Sequence, residues 1–195
     1  MKLNIFALPI ILIAALLLQG CASAVVGGAA TGAAVIHDRR TVGTFVDDEI
    51  IEVKATKRLF SDQDLFDNTH INVTAYNNII LLSGEAPTDT LKNKAYNLVS
   101  SIPKVRKIHN EIAIAAPSSL LTRSSDTWIT AKVKTNLFQV KDAPDFDPTR
   151  IKVISENGVV FLMGIVTRNE ADIVINASRT VGGVQRVVKL FEYLD

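Results

Sequence analysis

The chain has 195 residues, 48% of them hydrophobic, with 21 Lys and Arg against 20 Asp and Glu, a formal net charge of +1. Charges balanced this evenly exclude the global basic field of a nucleic-acid binder, and no block of like charge reads as a tail. Cys21 is the only cysteine, which excludes an internal disulfide or a multi-cysteine metal site, so the folded part must hold by its core alone.

The chain starts with Met1-Lys2, runs through apolar residues from Leu3 to Leu18, and ends that run at Leu18-Gln19-Gly20-Cys21. A short positive start, an apolar stretch and a small residue before a cleavage point describe a bacterial secretory signal. The run is shorter than the roughly 20 apolar residues a spanning helix wants, and Pro9 interrupts it. The Leu-x-Gly-Cys ending resembles the lipobox of bacterial lipoproteins. That resemblance implies a diacylglyceryl group on the Cys21 thiol, removal of residues 1–20, and acylation of the new amine. No cofactor beyond these covalent chains is implied. One acyl chain holds only marginally at ~0.8 kcal/mol per buried methylene, whereas three hold essentially permanently. The alternative is an uncleaved anchor with an incidental cysteine. Ala22, rather than Asp, follows the cysteine. By resemblance to Gram-negative lipoproteins, this favours the outer membrane, with the protein facing the periplasm. Residues 21–45 read as a tether, since Ala22 to Val35 is almost all Ala, Gly, Val, Ser and Thr and has too little side chain for a core.

The rest of the chain repeats itself with a period of about 80 residues. Apolar side chains at helical spacing predict helices over 47–60 and 126–138, with Asp47, Asp48 and Asp126 at favoured N-cap or first-turn positions. Ile71-Asn72-Val73 and Ile79 to Leu82 read as two strands, matched by Ile151-Lys152-Val153 and Val159 to Met163. In the second copy the turn is Asn157-Gly158, a strong hairpin signal. Helical spacing returns over 88–102 and 168–181. A last strand runs through Ile108, Ile112 and Ile114, and through Val188, Leu190 and Leu194. Residues 116–124 have linker composition. The predicted fold is α+β: two αββαβ units, 46–115 and 125–195, each a three-stranded sheet packed with two helices.

This order, with the Asp126-x-x-Ile129-x-x-x-Val133-x-x-x-Leu137 helix, Gly84 and Gly164 after the second strands, and Val181-Gly182-Gly183-Val184, resembles the BON domain. The lipobox, the Ala/Gly tether and two such domains together resemble the dual BON-domain outer-membrane lipoprotein family (DolP-like). Asp126-Thr127-Trp128-Ile129-Thr130, Val160-Phe161-Leu162-Met163-Gly164 and Ile71-Asn72-Val73-Thr74-Ala75-Tyr76 carry that resemblance nearly residue for residue.

No catalytic constellation is present. His37, His70 and His109 read as lying in the tether, in a loop before a strand and in a final strand. None has a partner at ligand spacing. Asp142, Asp145 and Asp147 lack the central Gly and final Glu of a calcium loop and read as an acidic turn. A non-enzymatic protein is expected. The candidate binding residues lie on the first helix of the second repeat. Ile129, Val133 and Leu137 share the core side. Trp128, Ala131, Thr135 and Phe138 form a second, mildly apolar face flanked by Lys132 and Lys134. Such a face suits a bilayer interface, with rings at headgroup depth and ammonium groups against anionic phosphates. A similar face on the first repeat, Ile50, Val53 and Phe60, leaves open that these faces pack the domains on each other. The family resemblance implies contact with anionic phospholipids such as phosphatidylglycerol and cardiolipin through Trp128 and Phe138, with Lys132, Lys134 and Leu137. It also implies a role in envelope integrity and at the division site. The alternative is an adaptor for outer-membrane protein assembly machinery. Some relatives carry haemolysin labels, but no long amphipathic hairpin or helix here encodes a pore.

Overall fold

The computed structural model describes residues 38–140, 143 and 146–194. Cys21, the tether up to His37, and Asp142 and Asp145 of the acidic turn lie outside them.

Each repeat begins with a helix that starts earlier than its apolar spacing suggests. Helix α1 (Val42–Phe60) is capped by Thr41, whose hydroxyl accepts the Thr44 N–H. The tether therefore ends before residue 45. A short helix, α2 (Gln63–Asn68), follows, capped by Asp62; no spacing in the sequence announced it. Strands β1 (His70–Tyr76) and β2 (Ile79–Ala86) form an antiparallel hairpin. Helix α3 (Asp89–Ser100) then crosses over to β3 (Lys107–Asn110), which pairs parallel to β2. After a break, β4 (Ala113–Ile114) resumes the same parallel pairing. The expected single last strand is thus two short ones. His70 opens β1 instead of lying in a loop.

The second repeat follows suit. Helix α4 (Leu120–Phe138) is capped by Ser119, whose hydroxyl accepts the Thr122 N–H. Its first turn consumes the second half of the expected linker 116–124. A 3-10 turn (Pro148–Arg150), capped by Asp147, leads into β5 (Lys152–Glu156) and β6 (Val159–Val166). Helix α5 (Arg168–Arg179) carries a full capping box between Thr167 and Glu170 and leads to β7 (Arg186–Tyr193), parallel to β6. Both sheets put the second strand of the hairpin at the centre.

Because α1 and α4 start early, Asp48 and Asp126 are neither N-caps nor first-turn residues. Both are buried mid-helix, and both reach across to the hairpin turn. The two Asp48 carboxylate oxygens accept the N–H groups of Asn77 and Asn78, each at 2.7 Å. Those of Asp126 accept Asn157 N–H at 2.8 Å and Gly158 N–H at 2.9 Å. These turns need the bonds. Asn77, Asn78, Asn157 and Gly158 all have positive φ, a type I′ conformation that points two consecutive amides one way. Gly84 lies within β2, as Gly164 does within β6, and not after the strand. It has φ +108°, and a Cβ there would run into the backbone carbonyl of His70.

The central strands are buried on both faces, which explains their uninterrupted apolar runs. Ile80 and Leu82 pack with Ile51, Ala55 and Leu59 of α1 and with Ala95 and Val99 of α3. Val160 and Leu162 pack likewise with Ile129, Val133 and Leu137 of α4 and with Val174 of α5. The opposite sides of the two sheets meet each other. Tyr76, Ile79 and Leu81 form a third core with Phe161, Met163 and Leu190. The repeats therefore join sheet to sheet, and the second faces of α1 and α4 take no part in joining them.

Polar contacts surround this seam. Arg39 ion-pairs with Glu170 at 2.6 Å and donates to the Ile165 carbonyl. Arg40 ion-pairs with Asp38 and Asp48 and stacks 4.1 Å over the Tyr76 ring. Lys152 pairs with Glu52, and Arg106 with Glu192. Burial pushes the Tyr76 hydroxyl up to about 12, with the Asp38 charge adding to it. Burial also raises the Glu156 carboxyl above its ordinary value, and the hydrogen bonds from Asn72 and Ser83 only partly offset that.

Candidate lipid-facing helix

Helix α4 lies on its sheet through one side only. Ile129, Val133 and Leu137 turn inward. Trp128 is 71% exposed and Phe138 65% exposed, so among the described residues nothing covers these two large aromatic surfaces. The helical register adds two residues that the sequence reading missed. Leu121 stands two turns before Trp128 on the same line, and Leu120 lies along the line of Phe138. Leu121 is 82% exposed, and Leu120 nearly as much. The early start at Ser119 makes this face continuous over the helix. The signal for it was present in Ser119-x-x-Thr122, an N-cap residue before two leucines, but linker composition obscured it.

Of the expected lipid-contacting residues, the structure brings Trp128 and Phe138 to this face and leaves Lys132 and Lys134 exposed beside it. Leu137 is a correction. It is 1% exposed and packed in the core of the second domain, because it shares the inward line with Ile129 and Val133. It cannot reach a bilayer without unfolding the helix from its sheet.

The two lysines differ. The Lys132 ammonium donates to the Gly182 carbonyl in the loop after α5, which leaves it two further N–H donors. Lys134 makes no ion pair among the described residues. Beside Trp128, the side chains of Lys132 and Thr135, with Thr180 and Val181 from that loop, frame a shallow groove of about 370 Å³. It offers an aromatic wall, an ammonium and hydroxyl groups to a small polar headgroup. Helix α1 also keeps an outward apolar side, with Val46, Ile50, Val53 and Phe60 exposed.

Among the described residues no cluster of three or more His, Cys, Asp or Glu side chains could hold a metal ion. No described helix is long and apolar enough to cross a membrane. Burial lowers the His70 imidazole below its ordinary value, and the nearby Arg123 charge lowers it further. Burial, with the Lys107 charge, does the same to His109 in β3.

Comparison with known proteins agrees with this architecture. The BON domain matches twice, over residues 47–116 and 125–195. The chain is 38% identical to the outer membrane lipoprotein DolP of Haemophilus influenzae, covering 96% of both chains. It is 38% identical to the 21 kDa hemolysin of Actinobacillus pleuropneumoniae, over 81% of this chain and 80% of that one. It is 28% identical to the osmotically-inducible protein Y of Escherichia coli, over 80% and 77%. Two BON domains in tandem and near full-length identity to DolP place the protein: it belongs to the dual BON-domain family of outer-membrane lipoproteins.

Proposed function

We propose that this lipoprotein binds anionic phospholipid through the outward face of α4. The observation that carries the reading is the exposed face formed by two lines, Leu121 with Trp128 and Leu120 with Phe138, on a helix whose core side is already satisfied. An apolar stripe bordered by cations lies in the headgroup region, with its rings below the phosphates and its ammonium groups among them. The acyl chains on Cys21 would supply the permanent anchor. The helix then acts as a second, weak attachment at high effective concentration. A modest preference for anionic lipid would bias where the anchored protein resides. That is the route by which it would support envelope integrity and division-site localisation.

The two domains, their cores and the seam form one compact unit, so a fragment starting at Asp38 is expected to fold. This fragment is expected to co-sediment with vesicles rich in phosphatidylglycerol or cardiolipin, and not with phosphatidylcholine. Trp128→Glu should abolish binding while leaving the circular dichroism spectrum unchanged. Equal binding by that variant would overturn the site.

The exposed side of α1 favours a second reading, a protein adaptor for the assembly machinery. A photo-crosslinker at Trp128 decides between the two. Capture of lipid supports the first, and capture of a protein in its place supports the adaptor.

A further inference from the structure

A second feature lies where the first turn of α4 meets the first domain. A cleft of about 460 Å³ opens between Leu59, Phe60, Phe66 and Ile71 of the first domain and Arg123 of α4, with His70 at its inner edge. Its size is that of a small-molecule site. Its lining is mixed: Leu59, Phe60, Phe66 and Ile71 supply the apolar part, Asp67, Thr69, His70 and Asn72 the polar part. The rings of Phe60 and Phe66 stand edge to face with centroids 5.7 Å apart, both more than half exposed. Arg123 makes no side-chain hydrogen bond or ion pair among the described residues, and its Nε is buried without a partner. Its two terminal nitrogens make no hydrogen bond either and are not buried, so they remain free to take a ligand.

The carboxylates nearby are engaged elsewhere. Asp126 holds the Asn157-Gly158 turn, Glu156 accepts from Asn72, and Glu85 accepts the Ser118 N–H. Asp67, on the rim, accepts from Gln63. An unpaired planar guanidinium in a cleft that also presents Leu59, Ile71 and two exposed aromatic rings matches one ligand chemistry: a single anionic head on a short hydrocarbon chain. We propose that this interdomain cleft binds a small anionic amphiphile, of the fatty-acid or monoalkyl-phosphate class. Arg123 takes the head, and the chain lies against Leu59, Ile71 and the two phenylalanine rings. The site is distinct from the α4 lipid-facing stripe. It uses residues of both domains, so an occupant would also brace them.

Calorimetric titration of the Asp38 fragment tests this, using decanoate and decyl phosphate below their micelle concentrations. Saturable one-to-one binding of at least one of them is expected, with 1-decanol and inorganic phosphate each at least about ten-fold weaker. The stronger anion identifies the head as carboxylate or phosphate. Arg123→Gln should weaken binding about ten-fold. Phe66→Asp, at an exposed position and therefore tolerant of substitution, should do the same by placing a carboxylate at the mouth. Trp128→Glu should leave binding unchanged, which separates this site from the vesicle-binding face. The proposal is overturned by the absence of saturable binding to either anion, by undiminished binding in both Arg123→Gln and Phe66→Asp, or by loss of binding in Trp128→Glu.

Discussion

Asp126 shows how much one side chain decides here. Its carboxylate takes two consecutive turn amides and is buried where it does so. Asp48 does the same in the first domain and adds the Arg40 ion pair. In each domain this is a tie between the first helix and the hairpin, two elements that local propensity alone would not hold in register. Asp126→Ala should lower unfolding free energy by about 3 kcal/mol, because it strands two buried donors. Chemical denaturation measures this. Asp126→Asn keeps one good acceptor and should fall between the two. The spacing of the aspartates made them visible in the sequence, but as helix caps. Their true role depends on a contact some thirty positions away, which no local pattern encodes.

Among the elements, the helices and hairpins were legible and their starts were not. Ile129, Val133 and Leu137 defined the inward side of α4 because burial imposes a 3.6-residue period. The first turn of α4, Leu120 and Leu121, meets no core and therefore leaves no period to read. Helix α2 buries only Leu65 and is too short for periodicity. The split between lipid-facing and core residues makes a paired prediction. Leu121→Glu should cut vesicle binding as Trp128→Glu does, without loss of stability, since Leu121 touches no core. Leu137→Ala should lower stability by about 2–5 kcal/mol through its cavity while leaving vesicle binding of the folded protein intact. Thermal melts and co-sedimentation of the same two variants separate the roles.

In the whole molecule, the sheet-to-sheet seam makes two BON domains into one unit. The continuous runs Ile79 to Leu82 and Val159 to Met163 carried the sign that both faces are buried. What covers the second face depends on the partner domain, and a single strand does not name it. Arg39 and Glu170 tie the start of the folded chain to the second domain across this seam. Burial alone would raise the Glu170 carboxyl, but the Arg39 guanidinium and the Thr167 N–H hold it below its ordinary value of 4.5. A lowered folded pKa stabilises the fold above the unfolded value, and that stability disappears as pH falls through the folded one. Arg39→Gln should therefore be less stable than the parent at neutral pH. The gap should narrow as the pH drops below about 4.5, as denaturation across a pH series would show. A gap independent of pH would mean that Arg39 acts through the Ile165 carbonyl alone.

Lipid binding as proposed requires the outward face of α4 to enter a headgroup layer, and the chain has a single tryptophan with which to see it. Trp128 emission, recorded on the Asp38 fragment as vesicles are added, is the most direct measurement. With phosphatidylglycerol or cardiolipin vesicles the emission should shift to the blue, and brominated acyl chains should quench it. Phosphatidylcholine vesicles should do neither. Emission that stays at its aqueous wavelength with saturating anionic vesicles would contradict the account.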